Sequence, residues 1–307
     1  MNFLPFNFFS MRTKFSAIAA FLFLFAFCQS TIEAQFSLIE IPTSKPVNDI
    51  HCFEHFCLVS DNSEMLLKTY DIGETFIQLN APVQSGENKF SLVCIDTNTY
   101  FFQGFLGLSP AYVRVHKSID GGYIWTTLVD TLGTYYSFDM FNEQKGILVG
   151  TNGKILQTSD GWETKTFQSF SSALYRKTKM LNEDIILIAS FVGVIRSLDG
   201  GGSWQHVTSF NNMIPRKIYS YSEDLVYVTA NSNTGQKILK GSTDGGATWS
   251  TLISGGNSFL YDILFITENE GYVTGYNHFH KQGSLLYTYD GGDTWSELLC
   301  GYDKQLI

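Results

Sequence analysis

Ser242-Thr243-Asp244-Gly245-Gly246-Ala247-Thr248-Trp249 is an eight-residue pattern that the chain repeats, whole or worn, at 69–76, 118–125, 158–165, 197–204 and 288–295. Its aspartates, Asp71, Asp120, Asp160, Asp199, Asp244 and Asp290, fall 39 to 49 residues apart. A short Asp side chain accepts hydrogen bonds from the backbone N–H groups just after it. The glycine behind it takes a conformation denied to other residues, so the chain reverses. The pattern therefore predicts a hairpin corner, reinforced by the Ser or Thr two residues before the Asp. In four copies the closing residue is Trp125, Trp204, Trp249 or Trp295, which opens the next strand with a large apolar face. Burial of ~150–250 Å² at ~25 cal/mol/Å² gives at most roughly 4–6 kcal/mol for each.

Six aspartates can also be read as metal ligands or catalytic acids. Each has its own turn to satisfy, however, and lies a whole repeat from the next. The spacing assigns them to folding, and no metal site or cofactor is expected. Between corners the chain spells a short alternating strand, a turn, a more apolar strand, a loop and a third strand, with a fourth strand after the corner. In the third copy these strands are 136–141, 146–150, 154–158 and 164–168. In the sixth they are 261–266, 271–275, 284–288 and 294–299, with a longer loop at 276–283. Alternating apolar residues bounded by Gly and Asn are strand signals. Beyond the N-terminal segment nothing sustains a helical period.

Four antiparallel strands every 40 to 45 residues make a propeller blade, and because no blade buries both faces alone, blades must stack around an axis. The expectation is an all-β chain forming a single β-propeller of six four-stranded antiparallel blades, with seven as the alternative. Residues 36–41 form a spare strand that can join the last blade. A chain of 307 residues has room for two small domains, but a continuous repeat favours one, and 27 Gly against 6 Pro suits a chain of tight turns.

Residues 1–34 are set apart from the fold. Arg12 and Lys14 precede an apolar run at 15–27, and Ala34 supplies a small residue before a cut, the pattern of a secretory signal peptide. That run is shorter than the ~20 residues a membrane span needs. Cys28 raises a lipoprotein reading, but Phe27 stands where lipoprotein signals place a small residue. The remaining domain, 35–307, is expected to be secreted, periplasmic or extracellular. Without Arg12, Lys14 and Glu33 the 20 basic and 29 acidic residues become 18 and 28, a net charge of −10. Such a surface repels polyanions, so nucleic acid is not an expected partner. Cys52, Cys57, Cys94 and Cys300 allow three disulfide pairings; Cys52 with Cys57 fits a hairpin, and all four also read as small apolar strand residues.

In an up-down-up-down blade the first and third turns emerge on one face. The second turn and the link to the next blade emerge on the other. The corners are third turns, so the opposite, loop-rich face is where binding is expected. One position before each innermost strand forms a ring there: Asn48, Phe90, Tyr136, Arg176, Arg216 and Tyr261. Phe105, Leu106, Phe259, Tyr276 and His278 add to it from the loops. Aromatics with Arg are favoured at recognition surfaces. The alternative reading is that several of these residues plug the channel or cover blade edges. Arg176 and Arg216, in adjacent blades, can clamp a carboxylate; alternatively they pair with Asp49 or Asp262, one position further along. His278 and His280, two apart, can face the same way toward a metal, but the sequence places no third ligand, and a solvated loop is the expectation.

The octapeptide resembles the Asp-box, or BNR repeat, S/T-x-D-x-G-x-T-W. Families carrying it include sialidases, xyloglucan-cleaving glycosidases, sortilin-type receptors and photosystem II assembly-factor-like propellers. The chain looks most like the last group, on its size, its T/S-x-D-G-G-x-T-W corners and Gly271-Tyr272-Val273. That resemblance implies a non-catalytic scaffold that holds a protein client; the expectation for this chain is a monomer that binds a protein or a glycan. A sialidase requires three converging arginines and an F/Y-R-I-P motif. Arg114 and Arg196 fall on third strands, and Ile214-Pro215-Arg216 is not that motif. The alternative is a glycoside hydrolase, for which Asp49, Glu87, Asp130 and Asp262 are the candidate carboxylates, a pair of which must lie about 5–5.5 Å or about 6.5–9.5 Å apart on one face.

Overall fold

The computed structural model describes residues 41–298 apart from 44, 46, 54–55, 62–64, 72, 83–86, 108–110, 208–209, 211, 233, 257 and 278–281. Six four-stranded antiparallel sheets follow one another along the chain, each with its strands in sequence order. They are blades 1 (47–79), 2 (87–132), 3 (135–169), 4 (175–207), 5 (213–255) and 6 (258–298) of a six-bladed propeller. A 3-10 turn at Thr151–Gly153 links the second and third strands of blade 3. The signal peptide expected at 1–34, Cys28, the strand expected at 36–40 and Cys300 lie outside the described residues.

Each octapeptide joins the third strand of its blade to the fourth. Its first residue, Ser or Thr, does two jobs: the hydroxyl donates to the Asp Oδ1 and accepts the N–H four residues on. In blade 5 these bonds are Ser242 Oγ to Asp244 at 2.8 Å and Gly246 N to Ser242 Oγ at 2.8 Å. The Asp Oδ1 also accepts the N–H of the seventh residue, Thr248, at 2.8 Å. Left-handed backbone at the fourth and fifth positions, Gly245 at φ +64 and Gly246 at φ +82, is what calls for glycine there. The N–H of the fourth residue crosses to the first turn of its own blade, as from Gly121 to Asn98 O at 2.9 Å and from Gly245 to Asp224 O at 3.0 Å. First and third turns thus share one face, stitched together.

The core is a set of six apolar layers, and each takes one octapeptide aromatic. Trp125 packs between blades 1 and 2, Trp204 between 3 and 4, Trp249 between 4 and 5, and Trp295 between 5 and 6; Phe76 packs on the outer side of blade 1. The layer between blades 2 and 3 is filled by Trp162, which the alignment on closing aromatics passes over. Trp162 stands at the fifth position, where other copies have Gly, and holds φ +76, while Lys165 closes the octapeptide. The glycines explain why this works. A Cβ on Gly246 would sit 3.1 Å from the Trp249 ring, and one on Gly292 3.5 Å from Trp295, so the fifth position aims at the space the eighth-position indole fills. In blade 3 the indole reaches that space from the other side.

Cys52 and Cys57 are directly opposite each other in the first hairpin of blade 1 and form a disulfide, whereas Cys94 is a buried free thiol.

Candidate functional site

All six innermost strands carry a β-bulge at the same level: Val47–Phe53, Glu87–Cys94, Tyr135–Met140, Tyr175–Met180, Met213–Ser220 and Ser258–Phe265. The register shifts at Val47/Asp49, Lys89/Ser91, opposite Val149/Gly150, and at Tyr175/Lys177, Pro215/Lys217 and Leu260/Asp262. The residues skipped are Asn48, Phe90, Tyr136, Arg176, Arg216 and Tyr261. They are the six positions the repeat singled out, but they lie inside the strands rather than before them. A bulge leaves its extra residue out of the ladder and re-aims the strand, which sets one residue per blade around the mouth of the channel. Phe105, Leu106, Phe259 and Tyr276 are likewise strand residues. Tyr276 pairs with Gly283, so the loop expected from 276 is a hairpin that keeps its backbone bonds two residues longer. His278 and His280 lie outside the described residues.

The two arginines are placed by aromatic rings. The Arg176 guanidinium lies 4.7 Å from the centre of the half-exposed Phe191 ring, and that of Arg216 lies 4.5 Å from Phe259. Arg216 Nε donates to Asn231 Oδ1 at 2.5 Å, fixing the plane of its fork. Tyr261 lies within electrostatic range of both Arg216 and Tyr276. Among the described residues no carboxylate comes within ion-pair distance of Arg176 or Arg216. Asn48 is held differently: its Nδ2 donates to Asp61 O at 3.4 Å, and Thr43 Oγ1 bonds the Asp61 carboxylate.

Lysines rather than arginines meet the channel acids. Lys217, one residue beyond the bulge, pairs with Asp262 at 3.1 Å, and Lys179, two residues deeper in blade 4, pairs with Asp139 at 3.2 Å. Asp49 accepts the Leu92 N–H at 2.9 Å, and burial drives its carboxyl above the usual range against the pull of Lys217 and Lys177. Burial works against the Lys217 ammonium, yet Asp262 and Asp49 hold it above its ordinary value. Lys177 is pushed the other way, by burial and by Lys217. Deeper still, burial and the neighbouring Lys179 push the His51 imidazole down to about 4. The channel is thus a column of alternating charge, cationic toward the arginine rim, that the sequence reading did not single out.

The other candidate carboxylates are occupied in blade 2. Glu87 is buried against His116 Nε2 at 3.2 Å and Arg114 Nη1 at 3.4 Å, and Asp130 takes Arg114 Nε at 3.2 Å. Among the described residues no group of three or more His, Cys, Asp or Glu side chains is arranged to hold a metal ion. No helix there is long and apolar enough to cross a membrane.

No family model and no curated protein matches the chain. Solved structures do match it in shape. One described as YCF48 bound to D1 peptide aligns with TM-score 0.65 and 16% identity, covering 85% of this chain and 84% of that one. YCF48 from Cyanidioschyzon merolae aligns with TM-score 0.60 and 15% identity over 80% of each chain. The GH74 xyloglucanase from Xanthomonas campestris aligns with TM-score 0.65 and 10% identity, over 81% of this chain but 44% of the enzyme. At these identities the likeness is one of fold.

Proposed function

We propose that this chain is a secreted, non-catalytic propeller, built on Asp-box corners, that holds a segment of a protein partner on its loop-rich face through Arg176 and Arg216. The observation that carries the reading is the pair of guanidinium groups at the mouth of the channel. Each is steadied by an aromatic ring, neither is paired with a described carboxylate, and two further cations, Lys177 and Lys217, lie one residue beyond them. A carboxylate of the partner, from an acidic side chain or a chain terminus, completes that arrangement, with Tyr136, Tyr261 and Tyr276 giving apolar contact around it. The solved neighbour described as bound to a D1 peptide supports peptide binding by this architecture. The disulfide at Cys52 and Cys57 fits an oxidising compartment. Glycoside hydrolysis is disfavoured because Glu87, Asp130 and Asp262 each face a cation at 3.1–3.4 Å.

The test is selection from a random peptide library displayed with free C-termini. Acidic peptides should be enriched, and Arg176→Ala with Arg216→Ala should abolish their binding. Enrichment that ignores both substitutions would sink the proposal.

A further inference from the structure

The face opposite the arginine rim carries a pocket of its own. It opens between the first and third turns of blades 1 and 2, has a volume of about 340 Å³, and is lined by Phe56, Tyr70, Asn98, Asp120 and Tyr123 around Lys68. That volume lies within the roughly 300–1,000 Å³ of small-molecule sites. Two of its walls are tyrosine rings left open to solvent, Tyr70 at 56% and Tyr123 at 67% exposure.

The octapeptide on this pocket breaks the rule that the other five keep. In those five the seventh residue is Thr or Ser, and its hydroxyl donates to the second carboxylate oxygen of the Asp: Thr75 at 2.5 Å, Thr164 at 2.5 Å, Ser203 at 2.7 Å, Thr248 at 2.6 Å and Thr294 at 2.6 Å. In blade 2 that residue is Ile124. Asp120 Oδ1 still takes Ser118 Oγ and the N–H groups of Tyr123 and Ile124, at 2.8, 3.0 and 2.9 Å. Its Oδ2 has no hydrogen-bond partner among the described residues. Asn98 spends its backbone groups on Asp96 and Gly121, and among the described residues its side-chain amide has no hydrogen-bond partner. The pocket therefore offers one carboxylate acceptor and one amide that both donates and accepts, beside two exposed tyrosines.

Lys68 narrows the choice of ligand. Its ammonium is buried at 3% exposure among the rings of Phe56, Tyr70 and Tyr100, at 4.6, 4.7 and 4.9 Å, and donates to Tyr100 Oη at 2.6 Å. An organic ammonium ligand finds its aromatic cage already filled and meets a like charge. An anion meets Asp120. A neutral polyol meets neither objection: hydroxyls donate to Asp120 Oδ2 and exchange bonds with Asn98, while a C–H face lies on a tyrosine ring. We propose that this pocket binds a neutral sugar residue of a glycan, independently of the arginine rim.

Isosteric substitution isolates the decisive atom. Ile124→Thr supplies the missing hydroxyl to Asp120 Oδ2, and Ile124→Val has nearly the same shape without it. The full chain, with each variant, is titrated with methyl glycosides of glucose, galactose, mannose and N-acetylglucosamine by saturation-transfer NMR; tetramethylammonium and acetate serve as charged probes. At least one glycoside is expected to bind the parent and Ile124→Val alike. Ile124→Thr should bind it about tenfold more weakly while melting at a higher temperature. Tyr123→Ala should abolish binding, and Arg176→Ala should leave it unchanged. The proposal is overturned if no glycoside binds, if Ile124→Thr binds as well as Ile124→Val, or if a charged probe binds more tightly than every sugar.

Discussion

Replacing Trp162 tests whether the six apolar layers are equivalent sites that accept their indole from either of two backbone positions. Trp162 is 2% exposed, packs on Phe138 at 6.1 Å between ring centres, and donates Nε1 to Met140 Sδ at 3.3 Å. Trp162→Ala leaves that volume empty, a loss of about 3–5 kcal/mol for a buried indole. At roughly 2–4 °C per kcal/mol for a domain of this size, the melting temperature should fall by about 6–20 °C. Trp162→Gly removes the same side chain but suits φ +76, so it should be milder than the alanine variant by roughly 1 kcal/mol.

The decisive variant is Trp162→Gly with Lys165→Trp, which rewrites blade 3 in the spelling of blades 5 and 6. It should regain most of the loss. Far-ultraviolet circular dichroism against temperature and urea reads all three, since tryptophan fluorescence changes with the substitution itself. A double variant no more stable than Trp162→Gly would refute the idea that both positions address one space. An alanine variant within 1 kcal/mol of the parent would refute the assignment of Trp162 to the core.

Asp244→Ala removes the acceptor for Ser242 Oγ, Thr248 N and Thr248 Oγ1 at a solvent-facing turn, so urea unfolding should show a loss of about 1–3 kcal/mol. Hydrogen bonds from the seventh residue hold Asp71, Asp199, Asp244 and Asp290 at about 2; their contribution is present above the ordinary carboxylate value and should be lost as pH falls toward 2. His51 acts in a higher window. Its folded imidazole titrates near 4 against an ordinary 6.5, so the unfolded chain binds more protons between those values and stability should decline as pH drops from 6.5 to 4; His51→Gln should flatten that part of the melting-temperature profile. Replacing Cys52 and Cys57 together by Ser reopens a six-residue loop in the unfolded chain and should cost about 2 kcal/mol in urea unfolding.

The blade count was legible because the corner chemistry is local: Ser or Thr, Asp and Gly lie within five residues and satisfy one another wherever they occur. The common level of the bulged residues was legible for a related reason, since five of the six lie 16 to 19 residues after the preceding corner Asp. What the sequence hides is register. Nothing in Arg176-Lys177 or Arg216-Lys217 says that the first residue is extruded by a bulge and that the second turns inward to the acids, because the bulge exists only in the pairing with the neighbouring strand. Reading Tyr276 and Phe259 as loop residues failed likewise: the ladder continues past the last alternating pair. The pocket beside Asp120 joins turns of two blades, so it brings together Lys68 and Tyr70, Asn98, and Asp120 and Tyr123 from three separate stretches of sequence. Ile124 was its visible trace, an apolar residue at a hydroxyl position.

Blade 1 has Ile72 at the fourth position and closes with Phe76; blades 2 and 3 also depart from the common pattern, and the difference between those two separates architecture from function. In blade 3, Lys165 at the eighth position is answered by Trp162 at the fifth, the indole returns to the same layer, and Thr164 still bonds Asp160 Oδ2 at 2.5 Å. The departure is compensated inside the repeat, so packing alone accounts for it. In blade 2, Trp125 is in place and donates to Gly122 O at 2.9 Å, yet the hydroxyl for Asp120 is missing and no described residue supplies another. Folding does not call for an isoleucine there, because Ile124 is exposed and the other five copies place Thr or Ser at the same position of the corner. A local rule broken without an internal substitute is where a ligand is to be sought, and here the broken rule lies on the wall of a pocket whose neighbouring side chains offer the matching donors, acceptors and rings.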